Sequence, residues 1–111
     1  VWVAIWLLID IAGVNASSST HLQIVEAANA YDWPVTDALA VAWCESQFTP
    51  TAYNGFDSGV YQLNRTWWKT VFSPAVWEKR FEVRTNTAMA YHVWEAAGRS
   101  FRWWACGPPN R

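Results

Sequence analysis

Apolar residues in this chain fall in blocks whose spacing changes from one block to the next. Val1 to Val14 is almost continuously apolar, interrupted by Asp10. The block is shorter than the roughly 20 residues that span a bilayer. Val14-Asn15-Ala16 before Ser17 has the small residues of a signal-peptide cleavage site. The basic segment that normally precedes such a core is missing, and the chain does not begin with Met. Residues 1–16 therefore read as a signal peptide or apolar leader, with the start truncated; a buried helix and an uncleaved anchor are the alternatives. Ser17-Ser18-Ser19-Thr20 reads as a polar linker able to cap a helix.

From His21 to about Tyr31 the spacing becomes helical, with Leu22, Val25, Ala28 and Ala27 on one face. Trp33-Pro34 breaks the chain. A second helix opens at Val35 or Thr36 with Asp37 in its first turn, and carries Leu39, Val41, Ala42 and Trp43 toward the core. Pro50 stops it within a turn of Glu45. Residues 49–64 predict a loop and a weak hairpin, because Asn54-Gly55 and Ser58-Gly59 are turn formers. Alternation across Gly59-Val60-Tyr61-Gln62-Leu63-Asn64 predicts a short strand with polar groups on one face. Short helices follow, one with Trp67, Trp68 and Val71, another from Pro74 to about Lys79. The longest helix covers 83–97, with Val83, Thr87, Ala90, Tyr91 and Trp94 at helical spacing and Gly98 as its stop. Phe101, Trp103 and Trp104 close against it, ahead of Cys106 and the helix-incompatible Gly107-Pro108-Pro109. The order predicts one α+β, predominantly α domain over 17–111, with a minimal β-hairpin beside the helix that carries Glu45.

Composition sharpens this picture in two ways. The 111 residues are 52% hydrophobic, which excludes a disordered chain, and 10 of them are Trp. Three or four Trp satisfy a core of this size, so several are expected at a surface, where indoles stack on sugar rings or meet apolar partners. A net charge of −1 gives no general attraction for nucleic acid, although Lys79, Arg80 and Arg84 form a local basic patch. Cys44 and Cys106 suit one disulfide in an exported protein, closing a loop of about sixty residues; two buried free thiols are the alternative. With His21 and His92 they make a poor zinc set, having no short-spaced ligand pair, so no zinc site is expected.

Candidate chemistry centres on Ala42-Trp43-Cys44-Glu45-Ser46-Gln47. Glu45 ends an apolar helix, where the helix dipole is negative and aliphatic and indole carbon displaces water. Both effects disfavour the ion and raise the pKa from about 4.3, as a general acid requires. The plain alternative is a surface carboxylate in water.

Glu45-Ser46, Pro50, Ala52 and Asn54, then Gly59-x-x-Gln62-x-Asn64 and Trp67, resemble the catalytic signature of transglycosylase SLT domains. These belong with goose-type lysozyme among the lysozyme-like proteins. The resemblance continues at Asn86-x-x-x-Ala90-Tyr91 and through Gly98 to Trp104, so it spans about residues 36–106. It implies a lysozyme-like fold and a secreted, cofactor-free, monomeric enzyme that cleaves the β-1,4 bond between N-acetylmuramic acid and N-acetylglucosamine in peptidoglycan. Membrane contact is expected only if residues 1–16 are retained. Glu45 takes the role of acid, then base. Gln62 and Tyr61 fall on a strand lining the cleft, though Tyr61 packing inward with Gln62 bonding the backbone is equally compatible. Tyr91 falls on a long-helix position facing the acid, with a core tyrosine as its alternative. Ser46 steadies the helix end or touches substrate, and Asn86 fixes local structure.

Lytic transglycosylases resembling this chain manage with one Glu, whereas a hydrolase needs a second carboxylate, for which Asp57 is the candidate. A turn-forming Asp is the alternative there. Outside catalysis, a Trp-rich glycan-binding module on the same fold and a membrane-attached assembly component are the rival functions. Gln47 departs from the pattern, which often has Gly after Glu-Ser.

Overall fold

In the computed structural model residues 16–107 are described; expectations for the leader before Ala16 and for Pro108-Pro109 lie outside them. The elements are α1 (Ala16–Asn29), α2 (Val35–Ser46), β1 (Asp57–Ser58), β2 (Leu63–Asn64), α3 (Arg65–Trp68), α4 (Pro74–Glu78) and α5 (Val83–Ala96). The fold is α+β and mostly α. The hairpin is two-stranded and antiparallel, with Asp57 opposite Asn64 and Ser58 opposite Leu63. Among the described residues, no helix is long and apolar enough to cross a membrane.

Helix α1 starts earlier than its apolar spacing predicts, so Ser17 to Thr20 belong to its first turns and not to a linker. Its buried face is Ile24 and Ala28, with Ala27 beside them, while Leu22 is 60% exposed. Ile24 and Ala28, one turn apart, are the fully buried side chains of this helix, which packs against α2 and α5.

Trp33, read in the sequence only as part of a break, is the hub of the core. Its ring lies 5.6 Å from those of Tyr61, Tyr91 and Phe101, and its Nε1 donates to Ala28 O at 2.8 Å. One side chain thus joins α1, the hairpin turn, α5 and the C-terminal segment. Removing such an indole typically costs about 3–5 kcal/mol.

Helix α2 buries Ala38, Val41 and Ala42 and ends where predicted. Trp43, expected in the core, is 51% exposed instead, with its ring edge-on to Phe48 at 5.4 Å. Val41 and Ala42 already fill the inward stripe, so the next position turns about 100° toward solvent. The chain leaves α2 through two consecutive left-handed residues, Gln47 (φ 50°) and Phe48 (φ 58°). That backbone explains why glycine suits position 47. Gln47 is exposed, so Gln47→Gly is expected to stabilise the protein by about 0.5–1 kcal/mol. A denaturant midpoint no higher than that of the parent protein would contradict this.

The predicted strand over 59–64 is shorter in the structure: only Leu63 and Asn64 are extended. Gly59 (φ 82°) and Gln62 (φ 49°) are left-handed, so 59–62 is the turn between the strands. Val60 and Tyr61 are consequently both buried, where alternation would have separated them. The turn is fixed by the fully buried Asn86 on α5. Its Oδ1 accepts from Tyr61 N–H at 2.8 Å, and its Nδ2 donates to Ser58 O at 3.1 Å and Arg80 O at 2.8 Å. Cys44 and Cys106 form a disulfide with Cα atoms 5.8 Å apart. Closing a loop of this length stabilises by about 4 kcal/mol on the chain-entropy model.

Candidate active site

A cleft of about 650 Å³ runs past the end of α2. Helix α2 contributes Glu45, the hairpin Asp57 and Asn64, and the turn Gln62. Helix α3 adds Trp67 and Trp68, and the C-terminal segment adds Trp103 and Trp104. Trp67 is 73% and Trp103 51% exposed, while Trp68 lies 5.9 Å from the Trp103 ring. The tryptophan excess of the sequence is therefore partly collected along one cleft. A second cleft, of about 730 Å³, lies between α1 and the start of α5 and holds none of the expected site residues.

Glu45 is half-buried at the cleft wall. Burial is the largest influence on its carboxyl and pushes the pKa up; the Cys106 N–H, donating to Oε2 at 3.4 Å, opposes this; the Asp57 charge pushes it up again. The balance is upward, the direction expected from a carboxylate at the apolar end of a helix.

Asp57 is held from both sides. Oδ1 accepts from Asn64 Nδ2 at 2.9 Å and Oδ2 from Asn54 Nδ2 at 3.0 Å. Two amide donors on two oxygens fix the orientation of the Asp57 carboxyl group. Asn54 Oδ1 in turn accepts the backbone N–H of Asp57 at 2.7 Å, and Asn64 Oδ1 accepts the N–H of Thr66 at 2.9 Å at the start of α3. Asn64 therefore links the orientation of Asp57 to the helix that carries Trp67 and Trp68. The site thus places a carboxyl that resists ionisation in the same cleft as a second carboxyl fixed by two amide donors.

The remaining expected site residues divide. Gln62 lines the cleft, but its Nε2 donates to Ala52 O at 3.0 Å and Gly59 O at 2.9 Å, which leaves its carbonyl oxygen for a ligand. Tyr61 packs inward, fully buried beside Trp33 and Trp104; its hydroxyl has no partner, and burial raises the phenol pKa strongly. Ser46 closes α2, donating from Oγ to Ala42 O at 3.1 Å and accepting Thr49 N–H at 3.2 Å.

Tyr91 is not brought to Glu45. Its hydroxyl donates to the Asp32 carboxylate, and its ring stacks on Tyr31 at 4.5 Å. On α5 it is Val93 that reaches the cleft, and Tyr91, two residues earlier, points about 200° away. Trp68, Trp103 and the backbone N–H of Cys106 are parts of the site that the sequence did not single out. The number of Trp hinted at the first two, but a main-chain donor leaves no trace in side-chain pattern. Among the described residues, no three His, Cys, Asp or Glu side chains gather as a metal site would need.

No protein-family model, curated protein or solved structure matches the chain.

Proposed function

We propose that this protein cleaves the β-1,4 bond between N-acetylmuramic acid and N-acetylglucosamine in peptidoglycan, as a lytic transglycosylase. The observation that carries the proposal is Glu45, whose ionisation is resisted in a tryptophan-walled cleft beside the amide-held Asp57. The choice of substrate rests on the resemblance of residues 45–67 to the SLT signature. Glu45 gives its proton to the glycosidic oxygen as the bond to C1 breaks. The positive centre at C1 is stabilised by the negative Asp57. The 6-hydroxyl of the muramic residue then attacks C1 and returns a proton to Glu45, closing a 1,6-anhydro ring without consuming water. Trp67 and Trp103 offer flat faces for neighbouring sugar rings.

Asp57 favours a second reading, hydrolysis of the same bond. A carboxylate in the same cleft as the acid can serve as nucleophile or as base toward water. Digestion of purified peptidoglycan, with the products weighed by mass spectrometry, separates the two. Products lighter by one water than the hydrolytic ones support the transglycosylase, and reducing-end products support the hydrolase. Binding of glycan without digestion would overturn both and leave a binding module.

Asp57→Asn sharpens the distinction. With a single-acid mechanism it removes a stabilising charge, and the rate falls about tenfold. With a two-carboxylate mechanism the loss is about 10²–10⁴-fold. The variant's rate relative to the parent's, measured on the same peptidoglycan, decides between them.

A further inference from the structure

Glu45 is touched by one feature that the mechanism above does not use. The N–H of Cys106, 61 positions further on, donates to its Oε2. Cys106 is joined by its sulfur to Cys44, the residue immediately before Glu45. Two neighbouring residues of α2 are thus held by one residue of the C-terminal segment, the first through its side chain and the second through its carboxyl.

We infer that Cys106 is a positioning residue for Glu45: its backbone N–H selects the carboxyl oxygen that carries the proton, and the disulfide keeps that N–H in place. The inference rests on the reading of Glu45 as the acid. A carboxylic acid accepts a hydrogen bond on its carbonyl oxygen and holds its proton on the other. Donation to Oε2 therefore leaves the proton on Oε1, whereas an unrestrained carboxyl would exchange the two. No side-chain donor performs this task among the described hydrogen bonds to Glu45.

The C-terminal segment is anchored up to Trp104 without the disulfide. Phe101 and Trp104 are buried, and Trp104 Nε1 donates to Tyr61 O at 2.9 Å. Gly107 N–H turns back to Trp104 O at 2.9 Å. Past Trp104, the described hydrogen bonds and covalent links from this segment to α2 are the disulfide and the Cys106 N–H itself. Cutting the disulfide removes its loop-closure stabilisation, but in the molecules that stay folded the burial of Phe101 and Trp104 keeps the cleft wall in place while the Cys106 N–H is released from the acid.

The disulfide is open to attack, since Cys44 is exposed. A thiolate of an external dithiol attacks a sulfur of the pair, forming a mixed disulfide and releasing the other cysteine as a thiolate. The second thiol of the reagent closes on its own sulfur and frees the remaining cysteine. Two electrons pass from the dithiol to the cysteine pair, two protons end on the cysteines, and the reagent becomes a cyclic disulfide. The acid is thereby placed under redox control.

Two measurements on the full chain test this. In the first, the amide between Ala105 and Cys106 is replaced by an ester through protein semisynthesis, which deletes the N–H and keeps the disulfide. With Glu carbons labelled, the titration midpoint of the Glu45 carboxyl is expected to rise, because a bond to the charged form has been lost. An unchanged midpoint, with the Trp104 indole signal in place, overturns the proposal. In the second, peptidoglycan digestion is followed in the oxidised protein, after dithiothreitol, and after re-oxidation. In reduced protein that keeps the Trp104 indole signal, the rate is expected to fall about tenfold or more, and to return on re-oxidation. Full activity in the reduced, folded protein overturns the proposal. Absence of digestion in the oxidised protein would count against the enzymatic reading alone, since the titration needs no substrate.

Discussion

Glu45→Gln is expected to remove about 10²–10⁴-fold of the peptidoglycan-cleaving rate while leaving the fold intact. Gln keeps the shape and can still accept the Cys106 N–H, but it has no proton to give to a leaving oxygen. The parent's rate should fall as pH rises through the Glu45 titration, which burial, and to a lesser extent the Asp57 charge, pushes upward from the usual glutamate value. A variant as active as the parent would remove Glu45 from the chemistry. The same substitution should also make the protein more stable at neutral pH. A carboxyl whose pKa is raised on folding binds its proton more tightly in the folded state. Its contribution to stability is therefore most favourable at low pH and declines as pH rises from the unfolded toward the folded pKa. Gln carries no such penalty, so its advantage in melting temperature should appear at neutral pH and fade below the ordinary Glu range. Opposite changes in activity and stability from one substitution would identify a strained functional group better than activity loss alone.

Gly59→Ala is expected to be the most damaging small substitution for the fold, at about 3–5 kcal/mol. A Cβ at this position would lie 2.2 Å from Asn86 Nδ2 and 2.8 Å from Arg80 O, on a backbone with φ 82°. Asn86 has no free space to retreat into, being fully buried and bonded to Tyr61 N, Ser58 O and Arg80 O. Moving it frees buried polar groups on the hairpin and on the stretch before α5 together. Gly55 provides the control. Its φ is 96°, yet an added Cβ would meet nothing within 4 Å, so Gly55→Ala should cost only the backbone strain, about 1–2 kcal/mol. Thermal melts of the two variants should differ by about 10 °C or more for a domain of this size. Equal losses would show that Asn86 does not fix the turn.

The parts of this molecule that were legible in the sequence are those encoded by side-chain spacing. Helices α2 and α5 follow from apolar residues three and four apart; Gly98 marks the end of α5 within two residues, and Pro50 follows the end of α2 by four. Glu45 was legible because an acidic residue closing an apolar helix is itself an anomaly. Asp57 was harder to read, because Asn54 and Asn64 are common in turns and only the fold brings their amides onto its two oxygens. Trp43 and Tyr91 misled for one reason. A helix has two neighbouring apolar-compatible directions, and which one faces the core depends on the partner helix. The hub role of Trp33 depends on four segments meeting around it, and nothing local signals that. The left-handed run at Gln47 and Phe48 was hidden by residue type, since neither is a usual left-handed residue.

The link from Cys44 to Cys106 also changes what a break in the backbone means. Residues 44–106 form a covalent ring, with α1 and most of α2 outside it as a single tail. A protease that cuts the exposed stretch at Lys69, Thr70 and Val71 opens that ring without releasing a fragment. The two new ends remain tethered on either side of the cleft, one through Glu45 and Asp57 and the other through α5 and Trp104. A nicked molecule would still hold both cleft walls within one particle. The region between α3 and α4 is thus the place where the chain can be severed, extended or supplied with new termini at the least risk to the arrangement around Glu45.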